Sequence, residues 1–163
     1  AAGSFLGVPL DEIARGLSEY VPSGMRQRVV RHKGLIVIED CYNASPDSIK
    51  AALQALASME GVERRIAVLG DMLELGEYAE KAHRNCGRLA AQSGVDLLFA
   101  YGENARFYVE EAEKCSVQGA FYEDKNGLAN ALLSQLKPGD CVLFKASRGM
   151  KLEEVIQKIY QEF

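Results

Sequence analysis

At 163 residues, 48% apolar and 26% charged, the chain is long enough for one well-cored domain, which at this size buries roughly 70% of the surface it exposes when unfolded. A net charge of −4, with Lys and Arg spread along the chain, excludes the clustered basic face that nucleic-acid binding requires. No run approaches the roughly 18 apolar residues of a membrane span. The four cysteines form no CxxC pair and the two histidines no zinc-type spacing, which points to free thiols in a reducing cytoplasm.

The first stretch, AAGSFLGVPLDEIARGLSEY, has neither an initiator Met nor the basic n-region of a signal peptide. It reads as a helix end, a Gly-Val-Pro turn and an amphipathic helix over residues 10–20, with Ile13, Leu17 and Tyr20 on one face. A chain that begins in mid-pattern is expected to be a piece of something longer. After a VPSG break at residues 21–24, QRVVRH and LIVIE are joined at Lys33-Gly34 and predict a hairpin leading into the first buried strand. Ser45-Pro46 then opens a helix, with Ser as N-cap, Pro at the first helical position and Asp47 in the first turn. Ile49, Leu53 and Leu56 form its apolar face.

RRIAVLG is the second buried strand, followed by a helix over residues 77–92 that ends at Gly94. The alternation continues with strand DLLFAYG, helix ENARFYVEEAEK, strand GAFYE, helix NGLANALLSQL, strand CVLFK and a closing helix MKLEEVIQKIY. Strands that read as continuous apolar runs are covered on both faces, as in a parallel sheet. The expected fold is α/β: a Rossmann-like, doubly wound, mostly parallel sheet with helices on both faces, preceded by a short helical remnant.

In such a sheet all the strand carboxyl ends share one rim, where ligands bind. Here the rim collects Asp40-Cys-Tyr-Asn43, Gly70-Asp71-Met-Leu-Glu74, Tyr101-Gly-Glu103 and Lys145-Ala-Ser147-Arg148. Neither GxxxxGK[ST] nor GxGxxG occurs, so the phosphate nests of stand-alone nucleotide enzymes are missing. Asp40 could accept from ribose hydroxyls or sit near a metal, and Asn43 offers a donor and an acceptor. Arg26, just before the first strand, could reach a phosphate. Lys145, Ser147 and Arg148 precede the last helix and suit a small carboxylate ligand. Cys41 has no histidine beside it to activate it as a nucleophile. His83, Tyr101 and Phe107 read as packing residues.

GMR at 24–26, DCYNASPDS at 40–48, VLGDMLELG at 68–76 with His83 following, and KASRGMKLEEV at 145–155 together resemble the C-terminal domain of the Mur ligases. The resemblance covers residues 24–163, while residues 1–23 resemble the end of that family's central ATPase domain. It implies an ATP-dependent amide ligase that adds D-Ala-D-Ala to UDP-MurNAc-tripeptide through an acyl phosphate in peptidoglycan precursor synthesis. The enzyme would be a cytoplasmic monomer using ATP and Mg2+, with the P-loop and metal ligands on domains outside these residues. By motif match Arg26 would reach the ATP phosphates and Asp40 the ribose, Tyr42 and Asn43 would line the nucleotide-side loop, and Lys145, Ser147 and Arg148 would lie near the dipeptide. The domain alone is expected to hold no catalytic residue, no metal and no ligase activity. The family commonly has Gly where Ala146 stands. Two rival readings are another Mur or folylpolyglutamate-type ligase domain, and a receiver-like phosphoacceptor module built on Glu39, Asp40, Asp71 and Lys145.

Overall fold

The computed structural model describes residues 2–19 and 24–163. Tyr20, the Val-Pro-Ser of the predicted break and the expected domain boundary at residue 23 lie outside the described residues. In the first segment, α1 (Ala2–Phe5) and α2 (Leu10–Ser18) form the two predicted helical pieces. Phe5, Leu6, Leu10 and Leu17 are exposed there.

The second segment folds around a six-stranded sheet of order β1-β2-β6-β3-β4-β5, comprising β1 (Arg28–His32), β2 (Leu35–Asp40), β3 (Arg64–Gly70), β4 (Leu97–Tyr101), β5 (Gln118–Tyr122) and β6 (Asp140–Lys145). Only β1 runs antiparallel, and it pairs with β2. Their two-residue turn places Lys33 at φ 44° and Gly34 at φ 88°. That conformation matches strand twist and favours glycine.

Five helices complete this segment: α3 (Pro46–Ala57), α4 (Ala79–Gln92), α5 (Arg106–Glu113), α6 (Lys125–Gln135) and α7 (Glu153–Glu162). Strand alternation divides the core between the two faces. Ile36, Ile38, Ala67, Leu69, Leu98 and Leu143 pack under α3, α4 and α5. Leu35, Val37, Ile66, Val68, Phe99, Val142 and Phe144 pack under α6 and α7. The doubly wound expectation therefore holds.

Local signals were accurate where a cap was written in sequence. Ser45 Oγ accepts the Ser48 N–H at 3.3 Å, and Ser48 Oγ accepts the Ser45 N–H at 2.9 Å, closing a reciprocal cap ahead of Pro46. Three other helices begin later than predicted because a tight turn occupies their first residues. Gly76–Tyr78 and Arg148–Met150 are 3₁₀ turns, Lys151 sits at φ 50°, and α4 and α7 start only at Ala79 and Glu153. Ahead of α5 the Ala105 N–H turns back to the Gly102 carbonyl.

Candidate functional site

β2 and β6 are parallel neighbours, yet the chain leaves β2 toward α3 on one face and β6 toward α7 on the other. Divergent exits of this kind open a crevice beyond the strand ends. Asp40 and Lys145 close those two strands and are register partners. The Lys145 ammonium lies 2.8 Å from Asp40 Oδ2 and donates to the Asn43 carbonyl at 2.6 Å. Asp40 Oδ1 accepts the Gln27 N–H at 3.3 Å. Both charged side chains are buried, so each requires the other, since an unpaired buried charge is strongly disfavoured. One buried ion pair thus holds the 41–44 loop and the lead-in to β1 against the sheet.

Above it opens a cleft of about 640 Å³ lined by Arg26, Gln27, Asp40, Tyr42, Asn43 and Lys145, with Ser48 and Ala51 of α3 as its wall. Arg26 stacks its guanidinium 3.9 Å from the centre of the exposed Tyr42 ring. Arg148 approaches the same ring at 5.9 Å. Two exposed guanidinium groups therefore converge on one aromatic platform, a pairing suited to anions presented in two forks.

Of the sequence-predicted residues, Arg26, Asp40, Tyr42, Asn43 and Lys145 share this cleft, and Arg148 reaches its mouth. Lys145 bonds to the Asp40–Asn43 loop rather than to Ser147. Ser147 is buried, its Oγ accepting the Leu73 N–H at 3.0 Å and its own N–H donating to the Asp71 carbonyl at 3.2 Å. Ala146 is accommodated because Gly70 faces it: a Cβ on Gly70 would lie 2.7 Å from the Ala146 methyl. Cys41 donates its thiol to the Phe144 carbonyl at 3.3 Å, and burial pushes its pKa up to about 12, leaving no thiolate at neutral pH. Phe107 is buried at the core margin, and Tyr101 is partly buried against the core.

The receiver-like constellation is not assembled. The Glu39 carboxylate is turned away, accepting the Tyr160 hydroxyl at 2.6 Å. Asp71 is buried, with Oδ2 accepting the Asn104 N–H at 3.1 Å. Among the described residues no group of three or more His, Cys, Asp or Glu could hold a metal ion, and no helix is long and apolar enough to cross a membrane. Sequence reasoning missed the Gln27 backbone donor and the Gly70 contact. The opposite charges that end two apolar runs were visible at Asp40 and Lys145, but not that those two strands are neighbours.

The Mur ligase, glutamate ligase domain model matches residues 25–148. UDP-N-acetylmuramoyl-tripeptide--D-alanyl-D-alanine ligase of Bacillus subtilis is 42% identical over 99% of this chain, which spans 36% of that relative. The chain spans about a third of the length of the curated relatives it matches. Two solved structures superpose closely: MurF ligase from Thermotoga maritima in complex with ADP (TM-score 0.80, 27% identity, 99% of this chain and 36% of that one), and MurF from Acinetobacter baumannii (TM-score 0.81, 28% identity, 96% and 35%). Since the family match runs from the lead-in of β1 through the loop after β6, with the rim loops inside it, the chain belongs to the Mur ligase family.

Proposed function

We propose that the chain is the closing part of an ATP-dependent ligase that joins D-Ala-D-Ala to UDP-MurNAc-tripeptide in peptidoglycan precursor synthesis. The reading is carried by the 42% identity to the Bacillus subtilis ligase of that name over 99% of this chain. Residues 1–23 would belong to the preceding ATPase domain. That domain, with its P-loop and Mg2+ ligands, and an N-terminal domain for the UDP-sugar would lie outside this chain. The complete enzyme would work in the cytoplasm as a monomer.

The tripeptide carboxylate would attack the ATP γ-phosphorus, breaking its bond to ADP. The dipeptide amine, as the free base, would attack the resulting acyl carbon and expel phosphate, leaving an amide and one proton. In this scheme Arg26 neutralises phosphate charge, Asp40 and Asn43 face the ribose side, and Tyr42 is the platform between nucleotide and dipeptide. Arg148, seated by Ser147, pairs with the dipeptide carboxylate. Lys145 joins the two sides, gripping the Asp40–Asn43 loop while its strand runs into Ser147 and Arg148. Closing this rim over the site would exclude water that hydrolyses an acyl phosphate.

The complete enzyme is expected to release phosphate from ATP only when both UDP-MurNAc-tripeptide and D-Ala-D-Ala are present, and mass spectrometry should detect the pentapeptide product. Phosphate release that requires glutamate instead would move the chain to the folylpolyglutamate-type branch. The 163-residue chain alone should show no ligation. Arg148→Ala should raise KM for D-Ala-D-Ala about 10- to 100-fold, as loss of a hydrogen-bonded charge pair does. An unchanged KM removes Arg148 from the dipeptide side.

A further inference from the structure

His83 touches no cleft residue, yet it is fully buried on α4 and both ring nitrogens are engaged. Nδ1 lies 2.7 Å from the Ala79 carbonyl one turn back. A carbonyl only accepts, so Nδ1 carries the proton and Nε2 is left as an acceptor. Nε2 takes the Met72 N–H at 3.1 Å. Met72 is the middle of three rim residues whose flanking backbone groups hold the next loop. The Asp71 carbonyl accepts the Ser147 N–H at 3.2 Å, and the Leu73 N–H donates to Ser147 Oγ at 3.0 Å. Ser147 directly precedes Arg148. Leu73 also presses on this loop, with Cδ1 2.8 Å from where a Cβ on Gly149 would sit. Three hydrogen bonds thus lead from a buried imidazole to the residue beside the exposed guanidinium.

We propose that His83 is a positioning residue for Arg148: by accepting the Met72 amide it fixes the Asp71–Leu73 loop as the seat of Ser147 and Arg148, and so sets the affinity for the incoming dipeptide. The dipeptide clause rests on the ligase reading above. Protonation reverses the anchor, because an imidazolium would point an N–H at the Met72 N–H. The groups facing the ring are the Ala79 carbonyl from its own helix, the Tyr108 ring at 4.7 Å from α5 and Asp71 from the end of β3. Asp71 Oδ1 is 3.7 Å from Nε2, and this buried oxygen has no hydrogen-bond partner, so an imidazolium would turn toward it and away from Met72.

Burial lowers the His83 pKa from its ordinary 6.5, with the Ala79 hydrogen bond and the Asp71 charge opposing. The unfolded chain therefore binds the extra proton first as pH falls. The stability contributed by neutral His83 is complete above 6.5 and is lost as pH drops below it toward the lower native value.

The test compares wild type, His83→Phe, His83→Gln and Arg148→Ala in the complete enzyme, and follows amide hydrogen exchange in the 163-residue chain. Gln offers an acceptor near the Nε2 position and does not titrate. His83→Phe should raise KM for D-Ala-D-Ala about three- to tenfold, the effect of losing one neutral hydrogen bond, with kcat within about twofold. His83→Gln should restore KM. The ratio of wild-type to His83→Gln KM should rise only as pH falls through the native His83 value, which burial holds below 6.5. In the chain, His83→Phe should speed Met72 and Leu73 amide exchange at least about tenfold, and His83→Gln should not. If His83→Phe does not fold, His83→Met, which fills the site without a strong acceptor for the Met72 amide, takes its place in both measurements, and an unchanged KM there overturns the proposal. An unchanged KM in folded His83→Phe, while Arg148→Ala raises it, overturns the positioning role and leaves the ligase reading intact. A wild-type enzyme indifferent to D-Ala-D-Ala overturns the ligase reading and the dipeptide clause, while exchange unchanged in His83→Phe overturns the seat itself whatever the substrate.

Discussion

Lys145→Met is expected to lower the unfolding free energy by about 3–5 kcal/mol, the loss typical when one partner of a buried ion pair is removed. Lys145 and Asp40 are both almost fully covered, at 2% and 6% exposure, so solvent does little to screen the carboxylate left behind. The Asn43 carbonyl loses its donor as well, and the 41–44 loop loosens with it. In a domain of this size the melting temperature should fall by about 10 °C. Asp40→Asn combined with Lys145→Met should recover part of the loss, because the stranded charge is gone. Urea titration of the wild type, the single variants and the double variant measures this directly. A cost below about 1 kcal/mol for Lys145→Met would mean that the pair is solvated and does not hold the rim.

Gly87→Ala is expected to destabilise the chain by about 2 kcal/mol, although helix propensity alone favours alanine by about 1 kcal/mol. Gly87 lies on α4 where that helix crosses α5. A Cβ there would sit 2.4 Å from the Tyr108 carbonyl oxygen and 2.9 Å from the Tyr108 Cα. Both are backbone atoms, so no side chain can swing aside and the two helices must separate. Separation would also strain the surface stitches from Arg84 to Glu110 and from Arg88 to Glu111. The sign is diagnostic: a stabilised variant in thermal and urea unfolding would mean that α4 and α5 are less closely packed than described.

The central strands β2, β3, β4 and β6 were legible because each is built on a short apolar run, β1 because a Lys-Gly turn joins it to β2, and α3 because Ser45-Pro46 states its own start. The helix onsets at residues 77, 103 and 150 were misjudged because the turns before α4, α5 and α7 carry residues that tolerate either conformation. Strand order was not legible, since nothing local in CVLFK says that it lies between LIVIE and RRIAVLG. The site was half legible. Arg26, Asp40, Tyr42 and Asn43 were named from position and motif, but the Asp40–Lys145 bond joins residues far apart in sequence. His83 was read as a packing residue, and its acceptor role required knowing which amide faces Nε2. Gly87 and Gly70 gave no signal, because close approach is a property of the partner as much as of the glycine.

The last strand in the chain is also the one that joins the sheet. β6 lies between β2 and β3, with Cys141 beside Ile36 on one side and Val142 beside Ile66 on the other. During synthesis the β1–β2 hairpin and the β3–β4–β5 half would each emerge with an unpaired edge that only residues 140–145 can cover. Assembly of the sheet must then wait for residues 140–145 to leave the ribosome, and the waiting edges are surfaces prone to aggregation. A stop codon ahead of residue 140 would not merely trim an edge of the sheet. It would leave two half-sheets with no strand to unite them.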